Sequence, residues 1–370
     1  MSPGGGARAR GPWRIAAAAL CALVVASTGR VSAEDYGPDL ETHLQLIERY
    51  QSGDFETPVR AVVSWGPIWI RSTARRLLDW CQDAPGGVTA THVRAAQGAF
   101  LLHTHAAVAG RALGLRTLDH EEHVEAALQL LRWFRKGYRE GSWPREARGL
   151  RPRDFYLALV SAEILMQRPV TARTLAEESL RNEGHDPAMR LLVGCALETE
   201  AAIRRQSKGD WPDQVLREAE RRFGEVLDEA PTLLEARLRL GWVLVRRGKA
   251  EKARPFLETV ADTPGDPGRR ALAWLFLGRA QEQRQDVPAA IWAYRRALEI
   301  APRLQAAHVG LAHALEEGAG DEAARAVLVP FFRERSRSWV RDDPWNAYPF
   351  GPPEMRMRPF ELLRERLCRR

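Results

Sequence analysis

Beyond residue 38 the apolar positions of this chain recur at intervals of three and four, and period-two alternation is absent. That spacing lines one face of a helix with apolar side chains, so it predicts a succession of amphipathic helices and no sheet. Short polar stretches punctuate the stripes, among them Gly209-Asp210-Trp211-Pro212, Arg247-Gly248-Lys249 and Pro264-Gly265-Asp266. Glycine and proline in such clusters end one helix and start the next.

Between residues 234 and 333 the stripes come in pairs that repeat. A frame starting at Leu234 places Leu240, Gly241, Leu244, Gly248, Ala253 and Leu257. The frame at Ala271 places Trp274, Leu277, Gly278, Ala290, Tyr294, Ala297 and Pro302, and the frame at Gln305 places Leu311, Ala312, Leu315, Ala324, Leu328 and Phe331. Small residues fall where two helices of a pair touch, and large ones fill the space between neighbouring pairs. This pattern resembles the tetratricopeptide repeat, a helix–turn–helix unit of about 34 residues. The resemblance is specific over 187–333 and loose over 38–182, with three firm repeats and three or four degenerate ones. It implies an all-α fold, a right-handed α-solenoid of stacked helix–turn–helix units, and a non-enzymatic scaffold or adaptor that binds a peptide or helix of another protein.

In this family the concave groove is lined by positions 2, 5, 9, 12 and 13 of the first helix of each unit. The resemblance therefore assigns Glu235, Leu238, Trp242 and Arg246 to the groove from the first frame. It adds Leu275, Arg279 and Glu282 from the second, and His313 and Glu316 from the third. Members that clamp the C-terminal carboxylate of heat-shock chaperones carry Lys at position 5 and Asn at position 9. Here those positions hold Leu238, Leu275 or Val309, and Trp242, Arg279 or His313, so that clamp is absent. The groove is mixed apolar and charged, suited to an extended peptide or a helix. Trp242 also fits a packing role between repeats, and Trp274 reads as core.

The chain divides on this view into a segment 1–33, a divergent helical-repeat half at 34–136, a Gly/Pro/Arg loop at 137–153, the repeat array at 154–333 and a tail at 334–370. The prolines of 342–353 argue against helix there, whereas 358–369 reads as a short amphipathic helix. Trp345, Tyr348 and Phe350 in the tail serve either as a lid over the open apolar end of the last repeat or as a docking segment. The lid is preferred, because terminal repeats need a cap.

Composition changes this picture at the N-terminus. Arg8, Arg10 and Arg14 precede the apolar run 15–27, and Val31-Ser32-Ala33 supplies small residues before Glu34. These are the three parts of a secretory signal peptide, so export to the periplasm or beyond is expected, with cleavage near Ala33. Thirteen apolar residues fall short of the ~20 of a spanning helix, so membrane attachment would require this segment to stay uncleaved. Taking Arg8, Arg10, Arg14 and Arg30 from the formal charge of +7 leaves +3, no footprint for nucleic acid. Three cysteines remain after residue 33, Cys81, Cys195 and Cys368, which form no disulfide framework.

Chemistry has few candidates. His103 and His105 lie on one predicted helix and His120 and His123 on the next. If packing gathered them, a three-ligand metal site could form and the chain would be a metal-dependent hydrolase. His120 and His123 are three apart, not four as in zinc-peptidase helices. No nucleophile elbow, Cys-x-x-Cys or phosphate-binding glycine loop is present, so no catalytic residue, metal or cofactor is expected.

Overall fold

A computed structural model describes residues 39–113, 117–144, 150–334, 343–350 and 358–368. The signal-like segment and Ala33 lie outside them. The described residues form helices and turns with no strand, as the periodicity predicts. They are α1 (Leu40–Gln51), α2 (Glu56–Val63), α3 (Pro67–Gln82), α4 (Ala90–Leu113), α5 (Thr117–Glu140) and α6 (Pro152–Leu165). There follow α7 (Pro169–Glu183), α8 (Pro187–Lys208), α9 (Asp213–Glu229), α10 (Leu234–Arg246), α11 (Ala250–Asp262) and α12 (Pro267–Gln283). The last are α13 (Val287–Ile300), α14 (Gln305–Ala319), α15 (Asp321–Glu334), α16 (Pro344–Ala347), a 3₁₀ turn at Tyr348–Phe350 and α17 (Arg358–Cys368).

Two compact units divide the chain, one of residues 1–162 with 357–370, the other of residues 163–356. In the first, α4 and α5 pair along their length, with α1, α2 and α3 packed against them. Helix α17 joins this unit. Phe360 is buried beside the His105 ring, at 5.6 Å between centroids, and Arg366 pairs with Asp154 at 3.2 Å. Tyr50 is fully buried and meets Nδ1 of His105 through its hydroxyl at 3.1 Å.

The second unit is a stack of helical hairpins: each of α8 to α14 packs on the next, and α12 also packs on α10 and on α14 as alternate helices. The starts are set by local chemistry. Asp186, Asp266 and Asp286 accept backbone N–H bonds from Ala188, Arg269 and Ala289, each within two residues of a proline that presets helical φ. The close approaches fall where the repeat pattern puts glycine. A β-carbon on Gly241 would lie 2.5 Å from the Leu257 side chain, and one on Gly278 would lie 2.4 Å from the Tyr294 ring. Helix A can then lie flat on helix B, and the fully buried Leu257 and Tyr294 fill the seam.

Candidate functional site

Helices α8, α10, α12 and α14 carry the inner face of the stack, and the most unusual residue there is Arg239. It is 2% exposed, in the middle of the apolar run of α10. A buried guanidinium persists only if its charge and donors are met. Its Nε donates to Glu235 at 2.7 Å, one turn earlier on the same helix, and Nη1 donates to Glu198 of α8 at 2.9 Å. Its Nη2 donates to the main-chain carbonyl of Tyr348 at 3.1 Å, and the guanidinium lies 4.3 Å over the Tyr348 ring. Burial works against the charged form, but Cys195, Tyr348, Glu235 and Glu198, in that order, outweigh it and hold the guanidinium pKa well above its ordinary value.

Arg246, two turns on, is nearly buried and sits between two indoles, 4.4 Å from the Trp211 ring and 4.8 Å from the Trp242 ring. Its Nη1 lies 3.2 Å from Oε1 of Glu198. Burial pulls its pKa below the usual arginine value, with Glu198 opposing. One carboxylate, Glu198, therefore serves two buried arginines, and Glu235 also takes Arg269 at 3.1 Å.

The chain's own tail sits in this face. Trp242 stacks on Phe276 of α12 at 4.2 Å, and Trp345 stands edge-on to both, 5.9 Å from each. Tyr348 stacks on Trp345 at 5.6 Å and meets Phe276 at 5.4 Å. Oγ1 of Thr199 donates to the Cys195 carbonyl at 2.9 Å and shares that hydrogen with the Pro349 carbonyl at 3.3 Å. Asp343 anchors the start of the segment by accepting from the backbone N–H of Gln305 at 3.1 Å and of Trp345 at 2.9 Å.

Two expectations about the tail change here. Trp345 and Tyr348 lie against α10 and α12 in the groove, not on the end of the last repeat, because that is where aromatic faces and a buried arginine meet them. The side chain of Phe350 is outside the described residues. The segment 344–350 is also helical, one α turn followed by a 3₁₀ turn, despite its prolines. Pro344 occupies the first turn, where its missing N–H costs nothing, and Asp343 caps it.

A cleft of about 710 Å³ remains open beside Trp345. Trp242, Arg246, Leu275, Arg279 and Glu282 line it, with Val309 of α14. Glu235 and Leu238 are buried beneath, 4% and 1% exposed. Arg279 pairs with Glu282 at 2.9 Å, and exposed His313 meets Glu282 at 3.3 Å and Glu317 at 3.9 Å. Glu316 is exposed on α14. A second cleft of about 390 Å³ lies on the other flank of the tail, between Glu198, Trp211, Arg246 and Tyr348. Arg239, Glu198, Trp211 and Phe276 were not expected in the groove. The one sequence signal for them was an arginine set between Leu238 and Leu240 in an otherwise apolar run.

Of the four histidines considered as metal ligands, His103, His105 and His123 have described side chains. His103 Nδ1 meets His123 Nδ1 at 3.0 Å, and the His43 ring stands 5.4 Å from that of His103. His105 points instead to Tyr50 and α17, as the 200° between its position and that of His103 requires. The side chain of His120 lies outside the described residues. Among the described residues no three His, Cys, Asp or Glu side chains are placed to hold a metal ion, and no helix is long and apolar enough to cross a membrane. Cys81, Cys195 and Cys368 are free thiols.

No curated protein matches the chain. Among solved structures, MamA of Desulfovibrio magneticus is 23% identical and aligns over 48% of this chain and 92% of its own, with a TM-score of 0.40. Yeast Tom70 is 11% identical over 90% of this chain and 69% of its own, with a TM-score of 0.38. Residues 216–275, from α9 into α12, match the family described as tetratricopeptide repeat, and helix α10 lies within the matched residues.

Proposed function

We propose that this chain is a non-enzymatic interaction scaffold that binds a segment of another protein along the inner face of α8, α10, α12 and α14. The observation that carries this is the seating of residues 343–350 in that face. A short aromatic segment is held there by indole stacking and by side-chain donors to its carbonyls, the means by which grooves of this kind hold peptides. The adjoining cleft, with Trp242 and Arg279 at its wall, offers the residue types that dominate binding energy at interfaces.

The site of action is proposed to be the bacterial envelope. The support is the arginine-led apolar segment ending at Ala33. A mature chain beginning at Glu34 in the envelope fraction, read by N-terminal sequencing, is the expected result; an intact N-terminus in the cytosol would overturn it.

The groove is tested by affinity capture of the tagged chain from its own host, beside a Val309→Arg/Arg279→Ala variant and a Lys252→Glu control. Val309 and Lys252 are exposed, so their replacement spares the core. A partner held by the wild type and the control but lost by the groove variant supports the reading. A partner retained by all three removes the groove from it.

A further inference from the structure

The internal occupant of the groove fits it incompletely. Tyr348 is buried with its hydroxyl unbonded, and the indole N–H of Trp242 and the Nε of Arg246 are likewise buried with no hydrogen-bond partner among the described residues. Buried polar groups in a permanent core are nearly always matched. With Arg246 Nη1, four unmatched donor atoms line or adjoin one small cleft, that between Glu198, Trp211 and Tyr348, and against them stands the unbonded carboxylate oxygen Glu198 Oε1. The donors outnumber it, so the cleft is short of acceptors. The open larger cleft on the other side of Trp345 shows in addition that residues 343–350 fill only part of the groove.

Among the described residues, the hydrogen bonds from the stack to the segment are those of Arg239 and Thr199 to its carbonyls, the latter shared with the Cys195 carbonyl, and the Asp343 anchor. Three arginines line the larger cleft, Arg205, Arg246 and Arg279, against two carboxylates, Glu282 and Asp343; Asp343 belongs to the segment and leaves with it, so the vacated space favours negative charge.

We infer that residues 343–350 are an internal, displaceable ligand, and that the partner is an extended acidic peptide whose aromatic residues take the places of Trp345 and Tyr348 and whose carboxylate meets Trp242 Nε1 and Arg246. This rests on the groove being the working surface and adds the partner's chemistry and its competition with the tail. Because the tail is tethered, it meets the groove at high effective concentration. The resting chain is therefore closed to weak ligands and opens only to one that supplies the missing acceptor.

The test uses the full chain and two fluorescein-labelled peptides. One carries residues 342–353; the other is the same with 4-carboxyphenylalanine in place of Tyr348. Both are titrated by fluorescence anisotropy into the wild type, Trp345→Ala/Tyr348→Ala and Asp343→Ala. The double variant empties the seat. Asp343→Ala cuts the anchor and leaves the aromatic filling intact, so it decides the matter if the double variant proves unfolded by circular dichroism. The expected result is binding at least tenfold tighter to each folded variant than to the wild type, tighter still for the carboxylate peptide, and abolished by adding Trp242→Ala. Equal binding to wild type and variants, or none to any, overturns the displaceable tail. A carboxylate peptide no tighter than its parent overturns the acidic partner. If the peptides fail while capture remains sensitive to Val309 and Arg279, the groove stands and this inference alone falls.

Discussion

Arg239 and Tyr348 are 109 residues apart, yet the guanidinium of one donates to the main-chain carbonyl of the other at 3.1 Å and covers its ring at 4.3 Å. A single side chain thus reads both the backbone and the aromatic face of the tail. It can do so only because Glu198 and Glu235 meet its charge from within the stack. The groove is therefore preorganised by a buried ion network, and the network's stability decides whether a groove exists.

Glu198→Gln tests that dependence. The carboxylate is shared by Arg239 and Arg246, both nearly buried, and its loss leaves two guanidinium groups short of a counterion. Breaking a buried pair by removing one partner costs about 3–5 kcal/mol. Urea unfolding of the variant should show a loss in this range. A loss below about 1 kcal/mol would mean that the network relaxes into solvent and does not shape the groove.

Gly278→Ala and Gly241→Ala probe the seam between paired helices. At Gly278 the added methyl meets the rigid Tyr294 ring, which is itself held against Gly310 on its other contact. At Gly241 it meets the ends of the flexible Leu257 side chain. Overpacking costs about 1–3 kcal/mol, so Gly278→Ala should lie at the upper end and Gly241→Ala at the lower. Thermal melts of the two in parallel would show the order, and equal effects would count against the ring as the reason.

The helices and the repeat frames were legible because their signals are local. Gly241 and Gly278 sit one helix turn from large apolar residues at fixed offsets, and the same offsets recur in space. That Trp242, Arg246 and Leu275 line one cleft follows from a related cause, since a repeat converts position in a frame into position on a face. What was not legible depends on the long return of the tail. Nothing near Trp345 in sequence says that it will meet Trp242 and Phe276. Arg239 was overlooked because its partners Glu198 and Tyr348 lie 41 and 109 residues away. The histidines illustrate the same limit: spacing separated His105 from His103, but it could not place His43 beside them.

Acid should weaken the first unit through those histidines. Burial is the main cause that lowers the pKa of His43 to about 4 and that of His103 well below the ordinary value. The His103 shift is reinforced by His123 and His43, while the Thr73 backbone opposes that of His43. His105 also falls to about 4, by burial first and Arg364 second. These rings fold neutral, whereas in the unfolded chain they take a proton near pH 6.5. Between pH 6.5 and 4 the unfolded state binds more protons, so stability falls as pH falls, and it is flat in this respect above 6.5. For His43 the full shift corresponds to about 3 kcal/mol. Melting temperatures should drop steeply across that window, and His43→Phe should flatten the slope; an unchanged slope would show that the rings reach water.

The turns between paired helices offer a test in the stabilising direction. Gly248 ends α10 at φ 70°, and the corresponding residue of the next repeat, Gln285, adopts φ 60° after α12. Both occupy the fifteenth position of their frames, so these two turns need a left-handed residue at the same place, whereas in the frame at Gln305 it is Gly320, one position later. Glycine meets the demand without strain, while a residue with a β-carbon costs roughly 1–2 kcal/mol in that conformation. Gln285→Gly gives back roughly 0.5–1 kcal/mol through the greater freedom of the unfolded chain. The balance should be a gain of about 0.5 kcal/mol, and Gly248→Gln should lose a similar amount. Measured by chemical denaturation, opposite signs at the two positions are the expected outcome. If both substitutions destabilise, the side chain of Gln285 contributes more than its backbone strain removes.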